Sequence, residues 1–581
     1  MVSVLHNERS CLWERRRWLL LALPLALLLG FTLVLPLGFN AYRALFTGSL
    51  AHPYGVFCGF GNYRELITDL RFWASMGKGF AYAGESSFLQ VALAAVAAIG
   101  LRRMSRLSAI ARCFCLIPVL IPPAATVAVF RMLFDATYGP LARAFETLVG
   151  TTPNFFSEDA LLATGSVLTA FQFFPLSFLL LSERIRLIPT SLYQRAELDD
   201  LGPWRTLRVV TLPEITPLLL ALFALRFCLT FGKFDVLYFL GGTSALLESV
   251  ESTPLYIYRV GLTQGKLGLG AAASTLVLAL VVAVFAGGYL LRAILRGARF
   301  RQLKWVPAPA GPLMAKIQGF GAKLGSVMGL IAVFAAILIP TAAVLYGSIS
   351  ARFPSDGFNF TLRNYYVLFQ NFDFGGSLLH SLEATVISTT AILVACVPFS
   401  FLVWVFRFPG SSSWGQSAIL FYCLPPVLLA YGFQSVAGSL NMLGGPLAVS
   451  AGMIGFALPL AATVLTVFGN DHHVNPPAES ASEAISLTRY FVRVFLPNRI
   501  GAMCMAGALV FAACWSDYLF ASILGGSRFR TAVVSFQDIS QGAVLPWGVL
   551  MAAAFVLALP TAAASLLVEF VLKRRDHELR I

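Results

Sequence analysis

Charged side chains interrupt the long apolar stretches of this 581-residue chain, and they are the first candidates for chemistry. An ionisable group in hydrocarbon is costly, so it usually contacts a solute, an ion or another charge. The charges within apolar stretches are Glu85, Arg131, Arg226, Lys233, Asp235, Glu383 and Asp517. From these we take as candidates for lining a transport pathway Glu85, Arg226, Asp235, Glu383 and Asp517.

Two simpler alternatives apply to these charges. Lys233 and Asp235 are close enough in sequence to pair with each other near the end of one apolar stretch. Glu85 and Glu383 occupy comparable places in two parts of the chain, so packing of one part against the other explains them as well as a pathway does.

The sequence contains no catalytic or nucleotide-binding motif. No G-x-x-x-x-G-K-[ST] loop occurs, and the nearest string, GLTQGKLG from residue 261, lacks the spacing and the final Ser or Thr. H-E-x-x-H and G-x-S-x-G are also absent. His472-His473 fit a solvated turn better than a metal site. We therefore predict that the chain is no enzyme and holds no cofactor or metal, and that any ATPase is a separate subunit.

Composition indicates a membrane protein. Hydrophobic residues make up 58% of the chain and charged residues 12%, with a mean hydropathy of +0.77. A soluble protein carries about 25% charged residues, and about 20 apolar residues suffice to cross a bilayer. The pattern predicts an all-α polytopic protein with twelve transmembrane helices near 18–39, 77–100, 109–134, 160–182, 216–240, 270–292, 324–348, 376–404, 415–440, 448–469, 499–523 and 546–570.

Basic residues orient these spans. With the N-terminus inside, 28 of the 42 Lys and Arg residues fall in cytoplasmic segments, as the positive-inside rule requires. We expect both termini in the cytoplasm and the chain in a bacterial inner membrane. The net charge of +14 then reflects this bias and contact with anionic lipid, and it needs no nucleic-acid partner.

The same landmarks occur twice along the chain. GNYRELI at residue 61 corresponds to RNYYVLF at 363, and Pro122-Pro123 corresponds to Pro425-Pro426. Between the copies lies a basic segment rich in Pro and Gly, which suits a tether. We predict two transmembrane domains, 1–292 and 324–581, joined by a cytoplasmic linker, 293–323. Six spans is an even number, so the copies are expected to be parallel repeats.

A polar segment, QRAELDDLGPWRTLRVVTLP, occupies residues 194–213 between the fourth and fifth spans. Leu198, Leu201 and Trp204 fall at i, i+3 and i+6, which predicts an apolar stripe that docks on a partner in water. Asp199, Asp200, Arg205 and Arg208 would surround it, and Leu212-Pro213 would end the surface element. A looser copy, AESASEAISLTRYFVRVFLP, occupies 478–497.

This segment resembles the Glu-Ala-Ala loop of ABC importer permeases, which runs Glu-Ala-Ala, three residues, Gly, nine residues, Ile, one residue, Leu-Pro. Matching positions in the first copy are Ala196, Leu198-Asp199, Pro203-Trp204, Val210 and Leu212-Pro213. Gln194, Arg195 and Asp200 depart from the pattern at Glu, the first Ala and Gly. The second copy is weaker, with Ala478, Glu479 and Ser480 at Glu-Ala-Ala, then Ala484, Val494 and Leu496-Pro497.

The resemblance implies a type I importer permease with both transmembrane domains fused, similar to permeases of iron(III) and thiamine importers. Its loops would form coupling helices that dock on a homodimeric ATP-binding cassette ATPase, which holds ATP and Mg²⁺. A periplasmic or extracellular solute-binding protein would deliver the solute. The coupling residues implied are Ala196, Leu198, Asp199, Asp200, Leu201, Gly202, Trp204, Leu212, Pro213, Glu479, Glu483, Ala484, Leu496 and Pro497.

Two other function classes remain open from the sequence. Secondary transporters also often have two parallel six-span halves, and they work on an ion gradient without an ATPase. A membrane enzyme would require a catalytic constellation, which the sequence lacks. About 20 additional residues around LARAFETLVGTTPNFFSEDA, from Leu141, make the first copy unequal to the second, and we expect them to contact the binding protein from one side.

Overall fold

The computed structural model describes residues 20–49, 55–101, 114–119, 121–137, 139–151, 154–241, 245–295, 312–351, 359–406, 421–422, 424–467, 487–542 and 546–578. These residues are almost entirely helical. No β-strand occurs in them, and three isolated β-bridges are the only extended pairings there.

The first half contains eleven labelled helices. They are α1 (Leu23–Arg43), α2 (Gly61–Thr68), α3 (Leu70–Leu101), α4 (Pro123–Phe134), α5 (Pro140–Val149), α6 (Leu161–Arg186), α7 (Thr190–Leu198), α8 (Pro203–Phe231), α9 (Asp235–Gly241), α10 (Thr253–Tyr258) and α11 (Leu267–Leu295).

The second half follows the same order. Its helices are α12 (Pro312–Ser348), α13 (Arg363–Asn371), α14 (Phe374–Phe406), α15 (Pro426–Ser439), α16 (Pro446–Val467), α17 (Phe491–Trp515), α18 (Leu519–Leu524), α19 (Ala532–Ser540) and α20 (Trp547–Glu578). Helix α12 begins at Pro312, inside the predicted linker 293–323, so the helix extends further than the Pro/Gly content suggested.

Ten helices in the described ranges are long and apolar enough to cross a membrane. They correspond to ten of the twelve predicted spans, so the all-α polytopic fold is confirmed, whereas the count of twelve and the parallel repeats stay predictions. The third and ninth predicted spans contain the shorter helices α4 and α15, each of which begins at the second proline of its Pro-Pro pair. Parts of both spans, including 109–113 and 415–420, lie outside the described residues.

Three Leu-Pro pairs follow five-residue π-helical turns. The turns are Gly30–Val34, Leu207–Thr211 and Phe491–Phe495, and in each case the leucine N–H donates to the carbonyl five residues back. Proline lacks an N–H and crowds the preceding turn, and a π turn widens the helix there. The prediction that Leu212-Pro213 ends the surface element is therefore wrong, because α8 runs without interruption from Pro203 to Phe231.

The two halves interlock around their short central helices. Helix α15 of the second half packs against α1 and α11 of the first, and α4 of the first half packs against α12 and α20 of the second. The Asn40 side chain donates a hydrogen bond of 2.7 Å to the Leu428 carbonyl, and the Tyr431 hydroxyl donates one of 2.5 Å to the Leu267 carbonyl.

Matched asparagines support corresponding turns in the two halves. The Asn62 amide donates to the carbonyls of Ala44 and Phe46 at 2.8 and 3.0 Å. The Asn364 amide donates to the carbonyls of Gly347, Ser348 and Ser350 at 3.2, 3.2 and 2.9 Å. Each asparagine lies at the start of its short helix, α2 or α13, in the motifs that match in sequence.

Candidate functional site

The segment 194–213 forms two helices with a sharp break between them. Helix α7 ends at Leu198, and α8 begins at Pro203, after Gly202. At the break, the Leu201 N–H donates to the Ala196 carbonyl at 2.9 Å, which closes the end of α7. Asp200 has a φ of +48°, in the left-handed region. This is the position where the family pattern has glycine, and aspartate is one of the few residues that tolerate the conformation.

A buried apolar cluster holds this segment against the membrane domain. Ala196 is 2% exposed and lies in one cluster with Ile188, Val210 and, from α12 of the second half, Val333 and Ile337. The two family positions Ala196 and Val210 therefore face inward, which leaves other side chains to contact a partner.

The predicted apolar stripe is divided by the break. Leu198 is 85% exposed and Trp204 is 46% exposed, whereas Leu201 packs against the buried cluster. The three positions do not share one helix face because α7 ends before Leu201. Asp199, Asp200 and Arg208 are exposed around Leu198 and Trp204, and Arg205 is half-buried.

Polar contacts fix the segment to the neighbouring spans. The Tyr193 and Thr211 hydroxyls lie 3.2 Å apart, and the Thr206 hydroxyl donates to the Leu201 carbonyl at 3.1 Å. Arg184, at the end of α6, forms an ion pair of 2.7 Å with Glu214 of α8. A force applied to Leu198 or Trp204 would thus reach α6 and α8 through fixed contacts.

The left-handed conformation of Asp200 gives a direct prediction. Asp200→Gly should leave the fold intact and stabilise it by up to about 1 kcal/mol, because glycine has no Cβ to crowd the following carbonyl. Asp200→Val should destabilise it, since a β-branched residue is strained at positive φ. Thermal unfolding of the purified variants in detergent would measure both. A lower midpoint for the glycine variant would show that the carboxylate itself stabilises the turn.

The second copy of the loop is described only in part. Glu479, Glu483 and Ala484 lie outside the described residues. Leu496 and Pro497 are described, and they follow the π turn Phe491–Phe495 just as Leu212 and Pro213 follow Leu207–Thr211.

Among the intramembrane charges, Arg226 is the most enclosed. It is 4% exposed and lies on the inner face of α8, whose Leu220 is 66% exposed. Its Nε donates to Gln90 of α3, and its guanidinium lies 5.5 Å from the ring centroid of Phe173 in α6. Gln90 and Phe173 are uncharged, so the pattern of charges within apolar stretches does not indicate them.

Lys233 lies in the short connection beyond α8 and Asp235 begins α9, and no ion pair joins the two side chains. The Lys233 Nζ instead lies 3.3 Å from the centroid of Phe173. The predicted fifth span, 216–240, also differs, because α8 ends at Phe231 and α9 starts afresh at Asp235.

Asp517 caps a helix at the boundary of the two halves. Its Oδ2 accepts hydrogen bonds from the N–H groups of Phe520 and Ala521 at 3.1 and 3.2 Å. The next residue, Tyr518, places its hydroxyl 3.2 Å from that of Tyr238 in the first half, with ring centroids 5.2 Å apart. Asp235 and Asp517 thus belong to facing segments of the two halves.

Glu85 and Glu383 are both exposed in the structure. The Ser166 hydroxyl donates to Glu85 at 3.0 Å, a contact within the first half. Arg131 donates to the Leu240 carbonyl. Neither contact shows a solute beside Glu85 or Glu383, and neither links the two halves through these residues. The predicted roles of the two glutamates therefore stay predictions.

Comparison with known proteins gives consistent matches to transport proteins. The family model described as binding-protein-dependent transport system inner membrane component matches residues 90–299. The chain is 27% identical over 271 residues to the inner membrane ABC transporter permease protein YcjO of Escherichia coli, covering 46% of this chain and 90% of that protein.

Two further relatives are named as permeases of sugar transport systems. The diacetylchitobiose uptake system permease protein DasB of Streptomyces coelicolor is 28% identical over 287 residues, covering 48% of this chain and 86% of DasB. The maltose/maltodextrin transport system permease protein MalF of Escherichia coli is 27% identical over 255 residues, covering 40% of this chain and 49% of MalF. YcjO and DasB therefore each match along most of their own length but along less than half of this chain.

Proposed function

Because the chain belongs to the inner-membrane permeases of binding-protein-dependent ABC importers, we propose that it contains both transmembrane domains of its importer. It is a multi-pass transport subunit, and the ATPase is a separate subunit. Domains 1–292 and 324–581, joined by 293–323, would be parallel six-span repeats with both termini cytoplasmic. The matched asparagines, π turns and interlocked central helices support this proposal.

The exposed pair Leu198 and Trp204 is the observation on which the coupling proposal depends. These apolar side chains project from a segment that is otherwise anchored, at the loop whose sequence matches the family pattern. Interface energy concentrates in a few buried apolar or aromatic anchors. We propose that they dock in a homodimeric ATPase on the cytoplasmic side, and that the loop 478–497 docks on its second copy.

Trp204→Ala should weaken association with the ATPase about 30-fold, because truncated aromatic anchors cost roughly 2 kcal/mol. Co-purification and ATP-driven uptake in proteoliposomes would measure the effect. Trp73→Ala is a matched control, since Trp73 is also 46% exposed but lies in α3, remote in sequence from the loop. Equal ATPase association in wild type and Trp204→Ala would contradict this docking face.

We propose that the solute is a small molecule delivered by a binding protein. The names of DasB and MalF favour a sugar over the iron(III) or thiamine suggested by the sequence resemblance. The ligand that the binding protein retains on purification would decide between these classes. Uptake driven by an ion gradient alone, without any ATPase, would instead support a secondary transporter.

Helix α5 forms the additional segment of the first half. Its Ala142 is buried, while Leu148 is 85% exposed and Phe145 is 42% exposed. We propose that this face contacts the binding protein from one side, as the unequal lengths of the two copies suggested. Cross-linking of the Leu148→Cys variant to the binding protein would test the contact.

A further inference from the structure

Two cationic side chains converge on one phenyl ring inside the bundle. The Arg226 guanidinium carbon lies 5.5 Å from the Phe173 ring centroid, and the Lys233 Nζ lies 3.3 Å from the same centroid. Each cation gains from the electron-rich face of the ring. Their mutual repulsion is stronger here than in water, because the surroundings are less polar. The pair is therefore poised to accept a negative charge.

The carboxylates near this pair leave it short of negative charge. In the part of the chain that the structure describes, no Asp or Glu forms an ion pair with Arg226 or Lys233. Asp235 interacts electrostatically with Lys233. Asp517 interacts with Asp235, but it already accepts two backbone N–H groups. Besides Lys233, the titratable groups that act on Arg226 are phenols, those of Tyr82 and Tyr422.

Arg226 also keeps an open donor. Its Nε donates to Gln90, whereas its Nη2 is buried without a hydrogen-bond partner among the described residues. A buried donor that lacks an acceptor costs about 1–3 kcal/mol, and more when it is charged. A protein can retain such an unpaired donor when a bound ligand supplies the missing acceptor. The Gln90 contact meanwhile holds the guanidinium in place.

The two cations lie where the halves meet. Gly232 follows the last residue of α8 and directly precedes Lys233, and a Cβ on Gly232 would lie 3.0 Å from the Pro425 Cα of the second half. Pro425 directly precedes the central helix α15. Transporters built from two repeats place their solute at the repeat interface. A solute that passes between the halves would therefore pass close to these two cations.

We propose that Arg226 and Lys233 bind the anionic group of the transported solute, a carboxylate or a phosphate. This inference rests on the proposed transport function and narrows its solute to an acidic one, such as a sugar acid or a sugar phosphate. Guanidinium and ammonium groups form strong charge-assisted hydrogen bonds to both kinds of anion. Phe173 holds the two cationic heads, and Gln90 orients the guanidinium.

The test uses the full chain in phosphatidylcholine nanodiscs and follows its thermal midpoint at constant ionic strength. Galacturonate is compared with galactose, and glucose 6-phosphate with glucose. We expect at least one acidic member to raise the midpoint more than its neutral partner. Lys233→Met should weaken that binding about tenfold, as expected for the loss of one charged hydrogen-bond donor. Arg226→Met should do the same if it folds, and the half-buried Lys233 keeps the test independent of that variant.

Lys266→Met is the control, because Lys266 is 58% exposed and its nearest carboxylate, on Glu65, is 3.8 Å away. It should bind as the wild type does. The proposal is overturned if neither acid exceeds its neutral partner, or if Lys233→Met keeps the full difference. It is also overturned if phosphatidylglycerol in the nanodisc abolishes the difference, since the site would then hold lipid phosphate. ATP-driven uptake of neutral sugars alone would refute this inference while leaving the proposed function standing.

Discussion

Replacement of residues 196–205 by a Gly/Ser linker of equal length is expected to lower ATP-driven transport by about 30-fold or more. The replacement removes both exposed anchors, Leu198 and Trp204, together with the break that presents them. It also removes the buried Ala196 side chain, and a flexible linker would not hold the backbone hydrogen bond that closes α7. Loss of even one strong anchor costs about 2 kcal/mol, which corresponds to that factor.

The same replacement over 480–489 should have a smaller effect. The second copy has Ser482-Glu483 where the first has Leu198-Asp199, and Thr488 where the first has Trp204. Apolar anchors outweigh rim charges at an interface, and rim charges mainly steer encounter. Docking should therefore be tighter through the first loop than through the second.

Uptake in proteoliposomes should be measured for both replacements, with ATPase co-purification as the direct reading of docking. The thermal midpoint of each variant checks that the membrane domain remains folded. Equal losses from the two replacements would contradict the asymmetry. Loss from the second replacement alone would reverse it and assign the main contact to residues 480–489.

Hydropathy was sufficient to predict most of the helices because lipid imposes one requirement on every span. About 20 apolar residues must lie in a row, and ten of the helices meet that condition in the structure. The third and ninth predicted spans also contain enough apolar residues, but the helices within them, α4 and α15, begin only at Pro123 and Pro426. Proline removes a hydrogen-bond donor from the helix, so the chain can be apolar at those positions without forming one continuous helix.

The detail of the candidate sites depends on tertiary contacts that a sequence pattern does not contain. Sequence spacing suggested that Lys233 pairs with Asp235, yet Lys233 lies over Phe173, a residue of another helix. The stripe from Leu198 to Trp204 assumed one continuous helix, whereas Asp200 adopts a left-handed conformation and divides it. Conversely, Leu212-Pro213 was expected to end the surface element, whereas the π turn Leu207–Thr211 lets α8 continue through this pair.

Gly268→Ala is expected to destabilise the protein more than the other two glycine-to-alanine substitutions, Gly548→Ala and Gly287→Ala. A Cβ at Gly268, in the first turn of α11, would lie 2.0 Å from the Phe46 carbonyl oxygen. That carbonyl is fixed because it accepts a hydrogen bond of 3.0 Å from Asn62. Overpacking at a site that cannot move costs about 1–3 kcal/mol, and we expect the upper end here.

Gly548→Ala tests the same position in the second half. Its Cβ would lie 2.5 Å from the Asn364 amide nitrogen, which belongs to a side chain rather than to the backbone. Asn364 can rotate away, but it would then lose its hydrogen bonds to three carbonyls, so a smaller loss than at Gly268 is expected. Gly287→Ala is the matched control in α11, because no atom lies within 4 Å of its Cβ position.

Thermal unfolding of the three variants in one detergent would rank them. Gly287→Ala should be neutral or more stable than wild type by up to about 1 kcal/mol, since alanine is the better helix former. If the two halves are repeats, one contact explains why Gly268 and Gly548 face equivalent asparagines. In each half, the last span packs closely against the turn that follows the first span. A wild-type midpoint for both Gly268→Ala and Gly548→Ala would show that this contact is loose in the folded protein, and it would remove the matched asparagines as support for the duplication.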